Sequence, residues 1–206
     1  MENFPASLSI DYSEKSDRVT VFFRLILAIP ILIILGLLTS SSFESNEGTK
    51  ELHRVYSVGI VFLPALLMIV FRKKYPQWWF DWNLALVRFC TRVASYVLLL
   101  RDEYPSTDEE QAVHVEIQYP NAATELNQWL PLVKWFLAIP HIILLCFVFV
   151  GVVVCTVLAW FLVLFTGRYP KGIFDFVVGS LRWSLRVEAY AFLLTTDVYP
   201  PFSLKE

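Results

Sequence analysis

The chain has 206 residues, of which 56% are hydrophobic and 16% aromatic, and its mean hydropathy is +0.55. Only 17% are charged, against about 25% in an ordinary soluble domain, so water is not the only solvent for which the sequence is built. A formal net charge of −2 argues against a nucleic-acid partner, and three cysteines in apolar surroundings, with no Cys-x-x-Cys, support neither a disulfide framework nor a zinc site.

Residues 1–18 are polar and acidic, with no basic stretch leading into a short apolar one, so no cleavable signal peptide is expected. Within them Leu8, Ile10 and Tyr12 alternate with Ser7, Ser9 and Asp11, which predicts a short half-buried strand, Leu8–Tyr12. Residues 19–38 are then apolar except for Arg24. A helix of about 20 residues covers the ~30 Å hydrocarbon layer. Pro30 should kink it. A Ser-rich loop over 39–50 separates this run from a second one, 54–71, which contains Pro64, and the two read as a hairpin over 19–71. Arg72, Lys73 and Lys74 follow, then Trp78, Trp79 and Trp82. Basic residues beside tryptophans mark a membrane–water interface, and Arg24 and Lys134 are read as further interface anchors.

Residues 80–100 are apolar except for Asp81, Ala85, Arg88, Arg92 and Tyr96, whose steps of four, three, four and four place them on one helical face. Two arginines in mid-segment cost upward of about 2.5 kcal/mol each in hydrocarbon. An amphipathic helix lying in the interface, stripe toward the headgroups, is therefore the favoured reading, and a third span is the alternative. An acidic linker over 101–111 leads to a second alternating segment, Val113–Tyr119. Residues 131–165 are apolar apart from Lys134, His141 and Thr156. One helix of that length overshoots a bilayer, which predicts a hairpin over 131–166 folding back near 149–152. A second amphipathic helix is expected over 173–194.

The two halves match in order. Leu27-Ala28-Ile29-Pro30 has its counterpart in Leu137-Ala138-Ile139-Pro140, each with a basic residue, Arg24 or Lys134, three positions before its Leu. Tyr75-Pro76, Phe80-Asp81, Arg88, Arg92 and Tyr96 find Tyr169-Pro170, Phe174-Asp175, Arg182, Arg186 and Tyr190, each pair 94 residues apart. Asp102-Glu103-Tyr104-Pro105 and Asp197-Val198-Tyr199-Pro200 close the two copies. The expected architecture is mainly α and integral to the membrane. It is a tandem repeat of helical hairpin plus amphipathic helix, 1–105 and 106–206, with short β-strands at the membrane surface. Function in such folds often sits at the repeat interface.

Ile10-Asp11-Tyr12, the two Leu-Ala-Ile-Pro motifs, His141, Thr166-Gly167-Arg168-Tyr169-Pro170, Leu181-Arg182-Trp183, Arg186-Val187 and Thr196-Asp197-Val198-Tyr199-Pro200-Pro201-Phe202 resemble an uncharacterised bacterial membrane-protein family, the domain of unknown function numbered 4389. The resemblance covers nearly the whole chain. The first half departs from it: Ile31 stands in the place of His141, and residues 49–53 are unlike the family. It implies a membrane location and supplies no catalytic residues.

Asp81 with Arg88 and Arg92, and Asp175 with Arg182 and Arg186, are candidate sites for a lipid headgroup or another anion, with two arginines one helical turn apart. The competing reading is ion pairing and snorkelling that hold an amphipathic helix at the interface. His141 reads as a hydrogen-bonded structural histidine ahead of a proton relay. His53 and His114 form no metal spacing with it. No nucleophile elbow, zinc-protease motif or phosphate-binding loop is present, so no catalytic residue, metal or cofactor is expected. The expected function is a non-enzymatic accessory subunit or lipid-associated scaffold of the inner (plasma) membrane. The alternatives are a small transporter or channel with an arginine-lined path, and a membrane-shaping hairpin protein. Expected partners are membrane lipids, and another membrane protein or a second copy. The basic residues at 72–74, and Arg168 with Lys171, predict a multi-pass chain with both termini cytoplasmic.

Overall fold

The computed structural model describes residues 4–39, 58–107, 109 and 111–205. The expected loop after the first helix, with His53, lies outside the described residues. The fold is mainly helical: β1 (Ala6–Ile10), α1 (Arg18–Thr39), α2 (Val58–Arg72), α3 (Gln77–Val97), β2 (Val113–Ile117), a 3-10 turn (Leu130–Leu132), α4 (Lys134–Thr166) and α5 (Lys171–Ala191).

The two alternating segments pair with each other. β1 and β2 run antiparallel, Leu8 opposite Val115 and Ile10 opposite Val113. Ala6, Leu8, Ile10, Val113, Val115 and Ile117 are buried, while Ser7, Ser9, His114 and Glu116 face outward. Such strict alternation makes one face of the sheet apolar and leaves the other for water.

α3 and α5 begin alike. Pro76 and Pro170 hold the same extended backbone (φ −66, ψ 127) just before the first helical residue. A proline lacks the N–H that a helix start cannot use, and it keeps the preceding tyrosine extended. The two segments end alike as well: Leu99 (φ 65) and Leu194 (φ 57) turn the chain through the left-handed region, where a non-glycine residue is uncommon.

α4 corrects an expectation. It is one helix of 33 residues with no turn near 149–152. The run holds no polar turn residue there, and a methyl group added at Gly151 would come within 3.4 Å of the Phe176 ring. A reversal among apolar side chains would leave backbone N–H and C=O groups without partners, whereas a continuous helix satisfies all of them. The overshoot that argued for a hairpin applies only to a helix that crosses the bilayer.

The elements stack in three layers. β1 packs on α5 and β2 on α3. On the roughly opposite flanks α4 packs on α5 and α1 on α3. The main core lies between the sheet and the helices α3 and α5. α4 meets that core through one stripe, Lys134, Ala138, His141, Leu145, Val152, Ala159 and Val163, along its whole length. α1 does the same through Val21, Arg24, Ala28 and Ile31. Arg18–Gly36 and Lys134–Thr166 are long and apolar enough to cross a membrane, and only 22% and 17% of these windows are buried.

Candidate functional site

Two polar clusters of matched construction sit at opposite ends of the molecule. In one, Arg24 is 2% exposed and ion-paired to Asp102. It donates to the carbonyls of Tyr96 and Arg101 at 3.0 Å and lies 4.5 Å over the Tyr96 ring. In the other, Lys134 is 0% exposed, 2.7 Å from Asp197 and 2.7 Å from the Thr196 carbonyl, with its ammonium 5.1 Å over the Tyr190 ring. Each aspartate also holds a backbone amide from a distant segment. Asp102 accepts from the Asp17 N–H at 2.9 Å, and Asp197 from the Asn127 N–H at 2.6 Å. Neither cation reaches outward as an interface anchor. A cation buried among apolar side chains requires a carboxylate and carbonyls close by, and the Asp-x-Tyr-Pro motifs supply them.

The arginine stripes point to the sheet and the tail. Arg88 Nε donates to the Val115 carbonyl at 3.1 Å and Arg182 Nε to the Leu8 carbonyl at 3.0 Å. Arg92 bonds the Ser106 carbonyl at 2.9 Å, and Arg186 the carbonyls of Ser203 and Lys205 at 3.3 and 2.7 Å. These bonds tie separate segments of chain to the helices. Asp81 and Asp175 stand exposed near the helix starts. Arg72, Lys73, Lys74 and Trp78 are exposed, while Trp79 is half-buried and stacks on Trp82 with ring centroids 5.5 Å apart.

The two halves are also laced together. Tyr75 Oη donates to the Leu193 carbonyl at 2.8 Å and Tyr169 Oη to the Leu98 carbonyl at 3.4 Å. Burial pushes both phenols well above their ordinary pKa. Tyr12 donates to the Tyr169 carbonyl and Tyr119 to the Tyr75 carbonyl. A groove of about 460 Å³ beside Tyr75 and Tyr119 is lined by Lys73, Lys74, Asn121 and Glu125. At the other end Lys15 pairs with Arg168 in a β-bridge, and Arg168 meets Glu14 at 3.3 Å.

One aromatic nest has no counterpart among the described residues of the other half. His141 is fully buried; its Nδ1 accepts from Trp183 Nε1 at 3.1 Å, and its ring stacks on Phe202 at 3.9 Å with Tyr199 at 4.9 Å. That bond places the neutral ring's proton on Nε2. Ile31 and Phe89, which hold the matching sequence positions, form an apolar cluster with Val93 instead. The stretch that carries this nest also carries Lys134, Arg182, Arg186 and Asp197. Residues 131–203 match the family described as Domain of unknown function (DUF4389). The resemblance expected over nearly the whole chain is thus found for α4, α5 and the tail that folds over His141. No curated protein and no solved structure matches the chain.

Two groups in α3 and α5 face each other. Burial raises the Glu188 carboxyl to about 7. Burial, and then the charge of Glu188, raise the Cys90 thiol to about 11. Among the described residues no three His, Cys, Asp or Glu side chains gather as metal ligands. The partnership of each aspartate with its cation was missed in the sequence, although the signal was there: both motifs recur, once per half, in the same order.

Proposed function

We propose that this chain is an integral membrane protein, built as a tandem repeat, that works as a non-enzymatic lipid-associated scaffold or accessory subunit of the inner (plasma) membrane. The observation that carries the reading is the apolar surface of α1 and α4. Phe22, Leu25, Ile26, Ile29 and Ile33 on one, and Phe136, Phe147, Val150, Val153, Val157 and Phe165 on the other, are all exposed. Soluble monomers rarely expose contiguous apolar patches above a few hundred Å². Acyl chains are the surroundings that such a surface fits, and the exposed cations at 72–74 fit anionic headgroups.

The repeat is supported by the pairing of contacts: Arg24–Asp102 with Lys134–Asp197, Arg88–Val115 with Arg182–Leu8, Tyr75–Leu193 with Tyr169–Leu98. A single fold unit used twice accounts for all three pairs at once.

Alkaline carbonate extraction followed by flotation with liposomes tests the membrane reading. The protein should stay in the pellet at high pH and float with vesicles, more completely when these contain anionic lipid. Recovery in the soluble fraction, with no flotation on any lipid, removes it.

A further inference from the structure

We infer that α4 does not cross the bilayer but lies along a single leaflet, with both of its ends on the same aqueous side. The inference rests on the membrane reading above and changes what kind of membrane protein this is.

The first argument is connectivity. The C-terminal end of α4 runs into Gly167 and Tyr169, where the Ser16 N–H donates to the Gly167 carbonyl at 3.1 Å and Tyr12 to the Tyr169 carbonyl at 2.7 Å. The N-terminal end of α4 is joined to α2 through the 3-10 turn, and Gln128 bonds the Val70 carbonyl at 2.6 Å. Tyr119, just past β2, bonds the Tyr75 carbonyl at that same end. Tyr12 and Tyr119 lie beyond opposite ends of one two-stranded sheet, roughly 25 Å apart at the rise of a strand. The sheet therefore reaches toward both ends of α4. Its outer face carries Ser7, Ser9, His114 and Glu116. An open two-stranded edge with polar side chains does not exist in hydrocarbon, because its backbone groups would go unpaired. If α4 crossed, that sheet would lie at bilayer depth.

The second argument is packing. The buried stripe of α4 runs from Lys134 to Val163, packed mainly on α5, which also carries β1, with α1 and the 3-10 turn against it as well. No segment of α4 leaves the protein to enter a second leaflet. At about 1.5 Å per residue the helix is about 50 Å long, which exceeds a ~30 Å hydrocarbon layer and is no obstacle to a helix lying in the plane.

The third argument is charge. Arg72, Lys73 and Lys74 stand at one end of α4, and Lys15, Arg168 and Lys171 at the other. Basic flanks collect on one side of a membrane, so a crossing helix with clusters at both ends contradicts the charge rule, and an in-plane helix obeys it. The rule assigns the leaflet as well: the cytoplasmic one, whose anionic headgroups both clusters would meet.

The test uses the full chain in membrane vesicles. Single cysteines at Thr124→Cys, Gly172→Cys and Glu116→Cys, in a background of Cys90→Ala, Cys146→Ala and Cys155→Ala, are exposed to an impermeant maleimide. Thr124 and Gly172 flank the two ends of α4, and Glu116 reports the sheet. All three should react in inverted vesicles and none in right-side-out ones. Reaction of Thr124→Cys and Gly172→Cys from opposite sides overturns the inference. Reaction of all three from outside overturns the choice of leaflet alone. Release of the protein by carbonate from the same vesicles sinks the membrane reading itself. Should the cysteine-free background not fold, impermeant acylation of Lys74 and Lys171 in the unaltered protein, read by mass spectrometry, gives the same two-ended answer.

Discussion

Arg24 and Lys134 are the side chains on which each half closes. A buried cation that loses its carboxylate keeps its desolvation cost and forfeits the attraction that offset it, typically 3–5 kcal/mol. The reverse change strands the carboxylate, and Asp197 retains some contact with water, so Lys134→Met should cost about 2–3 kcal/mol. The double variant Lys134→Met/Asp197→Asn should recover part of it. Unfolding in detergent, followed by circular dichroism, reads both. Glu188 gives a pH dependence of known sign. Its folded pKa, about 7, lies above the ordinary 4.5, so the folded state binds the proton more tightly than the unfolded chain does. The stability this confers is complete below about pH 4.5 and fades as pH rises through about 7. Glu188→Gln should flatten the melting temperature over that window and raise it at pH 8 relative to the unaltered protein. An unchanged profile would mean that the carboxyl is hydrated in solution.

At the scale of elements, the contact between α4 and α5 is the widest among the described residues and also the place where the halves differ most. His141 and Trp183 form a hydrogen-bonded pair, and Ile31 and Phe89 an apolar one. The pair in one half is polar and the pair in the other apolar, so a single swap mixes the two. His141→Ile alone leaves the Trp183 N–H buried without an acceptor, a loss of about 1–3 kcal/mol. His141→Ile/Trp183→Phe, which copies the other half, should restore most of the stability in the same denaturation assay. If the double variant falls further than the single one, His141 has a use beyond packing. The alternation of Leu8 and Ile10 and of Val113, Val115 and Ile117 was legible as strands because a two-residue period admits little else, although Tyr12 and Tyr119, expected within them, lie just beyond their ends. The single helix through 149–152 was not, because the hairpin argument supposed a crossing that nothing local required.

At the scale of the whole molecule, each half's strand is clamped by the other half's helix: Arg182 holds β1 and Arg88 holds β2. Neither half is complete without the other, so the chain should unfold as one cooperative unit. Under the single-leaflet inference, the exposed apolar faces of α1 and α4 on one side of this unit and the polar face of the sheet on the other make it a raft that enlarges only the leaflet it enters. Dense loading on liposomes should therefore draw them into narrower vesicles or tubules, visible by electron microscopy. Vesicles that keep their size and shape at high protein density would show that the inserted layer is too shallow to strain the bilayer.

Sequence alone determined what depends on neighbours along the chain: two short strands and apolar helices flanked by cations and tryptophans, whereas the place of Tyr-Pro at the start of α3 and α5 came from the structure. The sequence also displayed both members of each buried ion pair, since Arg24 and Lys134, and Asp102 and Asp197, stand at matched points of the two halves. Tertiary structure decided what depends on the other side of a contact. The striped arginines donate to carbonyls of the sheet, the linker and the C-terminal tail, and α4 continues through 149–152 as one helix that packs on α5. Hydropathy counts which residues avoid water, and it is blind to direction. The single-leaflet placement inferred for α4 rests instead on the sheet, whose polar face is turned outward and whose flanking Tyr12 and Tyr119 bond chain near the two ends of α4.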